Sequence, residues 1–345
     1  MNPDKKEITA SLLRADEEDI LLNFMKAYLD NWEKFRKYWD WRKSNKPDSC
    51  GETAVIAKEG DNIIGSVGIV PARLNFSNPD VKVSWQQDSL VAPAGRGKGI
   101  GKRLVNKGGE GWDLVMAKGT SETMYGLRKK LDFIDVPNSD YLLTIVKPRL
   151  AIRRFKQTLM EVGLFLYDTF RPTPGRDKII DVREVETFDS TFDNLAEQAS
   201  RAKGLRLIKD HGYLNWRYAK CPDRKYRIFR AGGQQARGAI VLNITGMDYE
   251  EGWIVDLICN PGDKDCAFTL IREGIGFFKK NKVFRIWSFA TLPSSRKWLY
   301  RFGFVSTGRT PRFTFRVQGN IIDRRELISK GWDFWHGDGD IELYM

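Results

Sequence analysis

The chain has 345 residues, with 57 Lys and Arg against 45 Asp and Glu, a formal net charge of +12 at pH 7. Hydrophobic residues make up 41% and charged residues 30%, the balance of an ordinary globular protein long enough for two domains. No apolar run approaches the ~20 residues of a membrane span, and the first seven residues hold no apolar signal region. The four cysteines form no CxxC pair and only two histidines accompany them, which argues against a zinc cluster and for a reducing cytoplasm. The positive charge favours an anionic partner such as a phosphate-bearing cofactor, a nucleotide-sugar or anionic lipid. Nucleic acid is not expected, because no RNA-binding signature, zinc finger or aromatic–basic interleaving accompanies the charge.

In chain order, the first informative stretch is Tyr38-Trp39-Asp40-Trp41-Arg42, followed by Lys46-Pro47. Its Trp-Arg pair is expected to pack a helix, with the guanidinium on a carboxylate or a backbone carbonyl. A hairpin comes next: Ala54 to Ala57, a turn over Lys58 to Asn62, then Ile63 to Val70. A strand from Val81 to Val91 runs into Ala92-Pro93-Ala94-Gly95-Arg96-Gly97-Lys98-Gly99-Ile100-Gly101-Lys102-Arg103 and a helical pattern. The glycines permit a tight turn with uncovered amides, and the helix start behind them adds a favourable field for a diphosphate. Lys98, Lys102 and Arg103 supply countercharge. This is not a Walker loop, since Arg96 and Arg103 stand where Gly and Ser or Thr are needed. Nor is it a Rossmann fingerprint, which comes after the first strand of a βαβ unit, whereas several strand-like stretches precede this loop.

The run Val91-x-Pro93-x-x-Arg96-Gly97-x-Gly99-Ile100-Gly101 resembles the acetyl-CoA signature of the GNAT superfamily of acyl-CoA N-acyltransferases, Arg/Gln-x-x-Gly-x-Gly/Ala. The order of elements is similar too, ending on Leu131-Asp132-Phe133 where the family has Leu-Gly-Phe. The resemblance covers most of residues 8–150 and implies an α/β fold, acetyl-CoA (coenzyme A) as cofactor, and acylation of an amine. Carried over residue by residue, it implies that Arg96, Gly97, Lys98, Gly99, Ile100, Gly101 and Lys102 hold the coenzyme A diphosphate. Leu90 and Val91 would then face the pantetheine.

Amine acylation also needs a base for the attacking nitrogen and a proton for the departing thiolate. Asp88, at the start of Ser89-Leu90-Val91, is the expected base, with Glu122 after the strand Leu114 to Ala117 as the alternative. The acid departs from the family pattern: Arg128 stands where many members carry a tyrosine. Tyr125, one helical turn upstream, is the candidate in its place, with water as the other proton source. A loss of activity is a further reading of the same departure.

Residues 150–167 are apolar with Arg153, Arg154 and Lys156 near their start, and Pro172, Pro174 and Gly175 break any helix beyond them. We read 151–180 as a connector helix and linker, packed between domains or lying on a membrane surface. After this connector the first pattern returns. Tyr213-Leu214-Asn215-Trp216-Arg217 with Cys221-Pro222 repeats Tyr, Trp, Arg and Pro at the same spacing, 175 residues further on. A second hairpin lies over Tyr226 to Leu242, and Phe302-Gly303-Phe304 closes the copy as Leu131-Asp132-Phe133 closes the first. Such coincidences in the same order read as a duplication. The expected organisation is a GNAT-like acetyl-CoA-binding domain over 8–150 and a degenerate GNAT-like domain over 181–345. Each would be a mixed, mainly antiparallel sheet flanked by helices.

The second copy keeps Val255 to Pro261 but puts Asp263 and Asp265 where a diphosphate would sit, which opposes anion binding. It is expected to shape the acceptor cleft, serving acceptor recognition, or merely to stabilise the first domain. The stretch Trp332 to Asp340, rich in aromatic and acidic groups, suits carbohydrate or amine recognition, or else a turn before a last strand, Ile341 to Tyr344. The whole reads as a cytoplasmic acetyl-CoA-dependent N-acetyltransferase with no metal. Its acceptor would be a small-molecule amine, an amino sugar or nucleotide-sugar. The alternative is a non-catalytic coenzyme A-binding or assembly protein.

Overall fold

The computed structural model describes residues 7–44, 53–75, 81–146, 162–163, 166, 180–202, 204–245, 251–318, 324–329 and 331–339. The connector expected over 151–180 lies outside them except at 162, 163, 166 and 180, as does the strand expected at 341–344. The chain divides into two compact units, Met1–Asp135 with Arg312–Glu326, and Val136–Pro311 with Leu327–Met345.

The first unit opens with β1 (Ile8–Leu12), α1 (Glu18–Tyr28) and α2 (Trp32–Lys43). In α2 the residues Phe35, Tyr38, Trp39 and Arg42 are buried at i, i+3, i+4 and i+7, and Trp41 beside them widens the inward face. Phe35 and Trp39 pack with Leu21, Leu22 and Met25 of α1 on Ala54, Ile56 and Ile63. The expected hairpin is β2 (Thr53–Glu59) and β3 (Asn62–Asn75), turning at Gly60 with φ +65. Then come β4 (Val81–Val91), α3 (Ile100–Lys107), β5 (Leu114–Ala117), α4 (Glu122–Lys130) and β6 (Ile134–Asp135). The sheet order is β1-β2-β3-β4-β5-β15-β6, where β15 is Thr314–Val317.

Two irregularities shape this sheet. β4 and β5 run parallel only from Val83↔Leu114 to Trp85↔Met116, after which β4 keeps β3 as a neighbour but leaves β5. At the parting, Gly68 pairs with Gln87 and Ser66 with Leu90, so Asp88 and Ser89 oppose Val67 alone. Asp88 takes φ +48 in this bulge.

The second unit holds β7 (Tyr141–Ile145), β8 (Val182–Val185), α5 (Thr191–Ser200), β9 (Leu205–Leu207) and α6 (His211–Leu214). It continues through β10 (Arg227–Ala231), β11 (Gly238–Thr245), β12 (Glu251–Cys259), α7 (Lys264–Lys280), β13 (Arg285–Phe289), α8 (Pro293–Arg301), β14 (Val305–Ser306) and β16 (Trp332–Asp333). Its sheet runs β14-β7-β13-β12-β11-β10-β8, and β16 pairs in parallel with β9. The layout repeats that of the first unit. β12 and β13 are parallel like β4 and β5, and a bulge sits where Val241 pairs with Asp256 and Leu242 with Ile254. Asp256 lies five residues before Pro261, as Asp88 lies five before Pro93. The closing motifs match as well. Asp132 (φ +62) and Gly303 (φ +84) both turn left-handed past the ends of α4 and α8. The amides of Phe133 and Phe304 then reach back to Arg128 O at 3.1 Å and Leu299 O at 3.3 Å.

The compact units divide differently from the two sequence copies. β7, from the first copy, sits between β13 and β14 in the second sheet, antiparallel to both. β15, from the second copy, sits between β5 and β6 in the first, again antiparallel to both. Each copy thus gives its last long strand to the other copy's sheet, and the boundaries expected at 150 and 181 do not separate folded bodies. The pairing that decides this is long-range, since β7 meets β13 and β15 meets β5 across well over a hundred residues of sequence.

Candidate active site

A cleft of about 960 Å³ opens in the first unit beside Ser89, Leu90 and Val91, past the point where β4 leaves β5. On that side these residues have no neighbouring strand among the described residues, and their main-chain edge faces the cleft. A second wall is the glycine-rich turn and the first turn of α3, with Arg96, Gly97, Gly99, Ile100, Gly101 and Lys102. Gly97 (φ +80) and Gly99 (φ +75) hold the left-handed backbone that this turn requires, and Gly99 caps α3. A Cβ at Gly101 would come within 2.9 Å of Leu127 Cδ2, so glycine there lets α3 and α4 approach. The first amides of α3 have no acceptor within the helix and carry its positive end, with two cationic side chains beside them.

Eight of the nine expected cofactor residues therefore line one cleft. The exception is Lys98, which is exposed outside it with Nζ 3.4 Å from Glu59 Oε1. The third wall was missed in the sequence: Ser121, Met124, Leu127 and Lys130 of α4 and its cap also face the cleft. The available signal was the periodic helix after Ala117, which places every third or fourth residue on one face.

The expected catalytic residues fare less uniformly. The Asp88 carboxylate is not among the lining groups; its Oδ2 accepts from Arg42 Nη2 at 2.8 Å, and Arg42 is fully buried. This is the carboxylate that the Trp-Arg motif was expected to find, and it makes Asp88 a pin between α2 and the β4 bulge rather than a group facing the cleft. Tyr125 also points elsewhere. Its hydroxyl donates to Asp135 at 3.0 Å, and partial burial together with that carboxylate raises its pKa, so the proton is held more tightly. Glu122, at the first position of α4, does line the cleft and is 89% exposed. Arg128 is fully buried against Phe133, 4.9 Å from the ring centroid, with Arg316 at the same distance from that ring. Burial and the neighbouring Arg316 lower the Arg128 pKa to about 9. Its Nε and Nη1 have no hydrogen-bond partner among the described residues.

In the second unit, the corresponding loop is occupied by its own charges. Asp263 accepts from Cys266 N at 3.1 Å at the start of α7 and is gripped by Arg237 at 2.8 Å. A carboxylate thus sits where an anion would be held. The expected recognition surface at Trp332 to Asp340 is corrected: Trp332, Phe334, Trp335, His336 and Asp338 are all at most 2% exposed. His336 stacks on Trp253 at 4.1 Å, and Arg217 donates to the carbonyls of Gly337 at 3.0 Å and Gly339 at 2.7 Å. The aromatic residues are core, and Arg217 is on carbonyls as expected. Buried Lys209 lies 2.8 Å from both Asp256 and Asp338, which hold its ammonium charged, while burial raises the pKa of Asp256. Among the described residues no cluster of His, Cys, Asp or Glu suits a metal, and no helix is long and apolar enough to cross a membrane.

Comparison with known proteins places this geometry. The family model of the GNAT acetyltransferases matches residues 18–108, which include the bulge, the turn and α3. No curated protein matches the sequence. Among solved structures, a GCN5-related N-acetyltransferase from Anabaena variabilis is 11% identical with a TM-score of 0.61, over 90% of this chain and 73% of its own. A conserved Enterococcus faecalis protein, described as a probable N-acyltransferase of unknown function, is 11% identical with a TM-score of 0.59 over the same shares. A GCN5-related N-acetyltransferase from Kribbella flavida is 13% identical with a TM-score of 0.56, over 92% of this chain and 72% of its own. At these identities the likeness is one of fold. Residues 18–108 match the GNAT acetyltransferase family, in a chain whose fold is similar to that of GNAT proteins.

Proposed function

We propose that the protein is an acetyl-CoA-dependent N-acetyltransferase acting on a small-molecule amine, an amino sugar or nucleotide-sugar. The observation that carries this reading is the cleft that joins an open strand edge, a left-handed glycine turn and a helix start. The turn amides, Arg96 and Lys102 suit a diphosphate, and the edge of Ser89 to Val91 suits the amide groups of pantetheine. The amine nitrogen attacks the thioester carbonyl, the carbon–sulfur bond breaks, and the thiolate takes a proton from water, since Tyr125 is held by Asp135. Glu122 is the base of this scheme, being the acidic side chain on the cleft wall. Thiol release from acetyl-CoA, followed over a panel of small amines and amino-sugar nucleotides, tests it. Turnover with small amines and none with any amino-sugar nucleotide would remove the sugar from the reading.

The buried Arg128 and the engaged Tyr125 favour a second reading, a coenzyme A-binding protein without catalysis. That reading predicts tight coenzyme A binding and thiol release at background for every amine offered.

A further inference from the structure

The cleft wall at the start of α4 is held by a residue nearly two hundred positions away in the sequence. Arg312, the residue that leads into β15, donates from Nη1 to Thr120 O at 3.2 Å and holds Nη2 3.9 Å from Glu122 Oε2. Thr120 ends the short link between β5 and α4. Ser121 caps the helix by accepting from Met124 N, and Ser121, Glu122, Thr123 and Met124 line the cleft. Arg312 therefore grips the one turn of chain that carries the acidic group of the wall. The residues after it fix the surroundings. Phe313 packs on Trp85 at 5.5 Å between ring centroids, and Arg316 Nη1 donates to Asn106 Oδ1 at 3.0 Å and to Leu131 O at 3.3 Å. Those contacts brace β4, α3 and the far end of α4, and Arg312 reaches the near end, at Thr120 and Glu122.

The backbone of Arg312 is itself unusual. It takes φ +50, a left-handed conformation that non-glycine residues adopt uncommonly. A residue used only to join two strands has no need of it, and glycine or asparagine would enter this turn more easily.

We propose that Arg312 is a positioning residue for acyl transfer, setting the Thr120–Glu122 turn so that the Glu122 carboxylate faces the cleft. The proposal rests on the reading of Glu122 as the base. The test compares wild type with Arg312→Asn, which accepts the left-handed backbone, Arg312→Lys, Glu122→Gln and the double variant Arg312→Asn/Glu122→Gln. Arg312→Asn is expected to lower kcat at least tenfold while the acetyl-CoA Kd stays within twofold and Tm is unchanged or higher. Arg312→Lys is expected to recover part of the rate. The double variant is expected to fall no further than Glu122→Gln alone, because both changes remove one function. A kcat for Arg312→Asn within twofold of wild type, or losses that multiply in the double variant, would overturn the proposal. So would a fall in Tm with loss of acetyl-CoA binding, which marks a merely structural residue. Hydrogen exchange at the amides of Glu122 to Met124 is the readout that does not depend on turnover. If wild type transfers no acyl group the enzymatic reading fails on its own account, whereas unchanged exchange in Arg312→Asn shows that Arg312 does not hold the turn.

Discussion

Gly99→Glu separates the diphosphate cradle from the fold that carries it. Gly99 has φ +75, and nothing lies within 4 Å of where a Cβ would stand. The substitution meets no clash, and its cost is the left-handed backbone, about 1–2 kcal/mol. A carboxylate at a helix N-terminus returns roughly 0.3–1 kcal/mol. The net loss is about 1 kcal/mol, a fall in Tm of roughly 2–4 °C. For a bound diphosphate the same carboxylate is a fixed like charge. Two unit charges about 4 Å apart at an effective dielectric of about 20 interact with roughly 4 kcal/mol. The turn is exposed to solvent, and screening reduces that to about 2 kcal/mol. The corresponding affinity loss is roughly 30-fold. Gly99→Asn is the control, since asparagine tolerates the left-handed backbone and adds no charge. Calorimetric titration of acetyl-CoA into the three proteins, with melts alongside, reads both quantities. If Gly99→Glu binds within about threefold of wild type, the turn is not the cradle; if Asn weakens binding as much as Glu, charge is not the reason.

Three further expectations concern the fold. Asp132→Gly removes a left-handed side chain and a carboxylate from the end of α4, for a gain of roughly 1 kcal/mol after losing its attraction to Arg316, whereas Gly303→Asp should lose about as much. Tm shifts of the same sign in the two variants would refute the equivalence of these helix ends. Glu17 is buried, and the hydrogen bond from Lys58 lowers its pKa in the folded state below the ordinary 4.5. Its contribution is present above that value and lost as pH falls through the folded pKa, so Glu17→Gln should flatten the acid limb of stability in urea melts; an unaltered limb contradicts this. A fragment ending at residue 150 lacks the strand between β5 and β6 and keeps β7 without its own sheet. Cooperative melting of that fragment, with acetyl-CoA binding intact, would show that β15 is dispensable.

The parts of this fold legible in the sequence are those that short-range chemistry dictates. Glycine at φ +80 and +75 between cations announces a turn around an anion, and the resemblance to the GNAT signature extended that reading to the eight lining residues. The recurrence of Tyr, Trp, Arg and Pro at fixed spacing was legible, and the guanidiniums of Arg42 and Arg217 took the predicted kinds of partner. Long-range choices were not legible. Nothing local to Asp88 reveals that a guanidinium on α2 claims its carboxylate, and nothing in Tyr141 to Ile145 says which of two like slots it fills. The tail misled for a related reason: aromatic and acidic residues suit a sugar, but here the aromatics fill a core and Asp338 meets the buried Lys209.

The strand exchange has a consequence for how the protein is made. Ribosomal synthesis delivers about 5–20 residues per second, so the 179 residues from Asp135 to Thr314 occupy roughly 10–35 s. Until β15 is made, β5 lacks the strand that lies between it and β6, and β7 lacks its own neighbours until β13 is made. The second half of the sequence therefore supplies a strand of the first sheet, and a chain truncated after the first copy would lack the strand between β5 and β6.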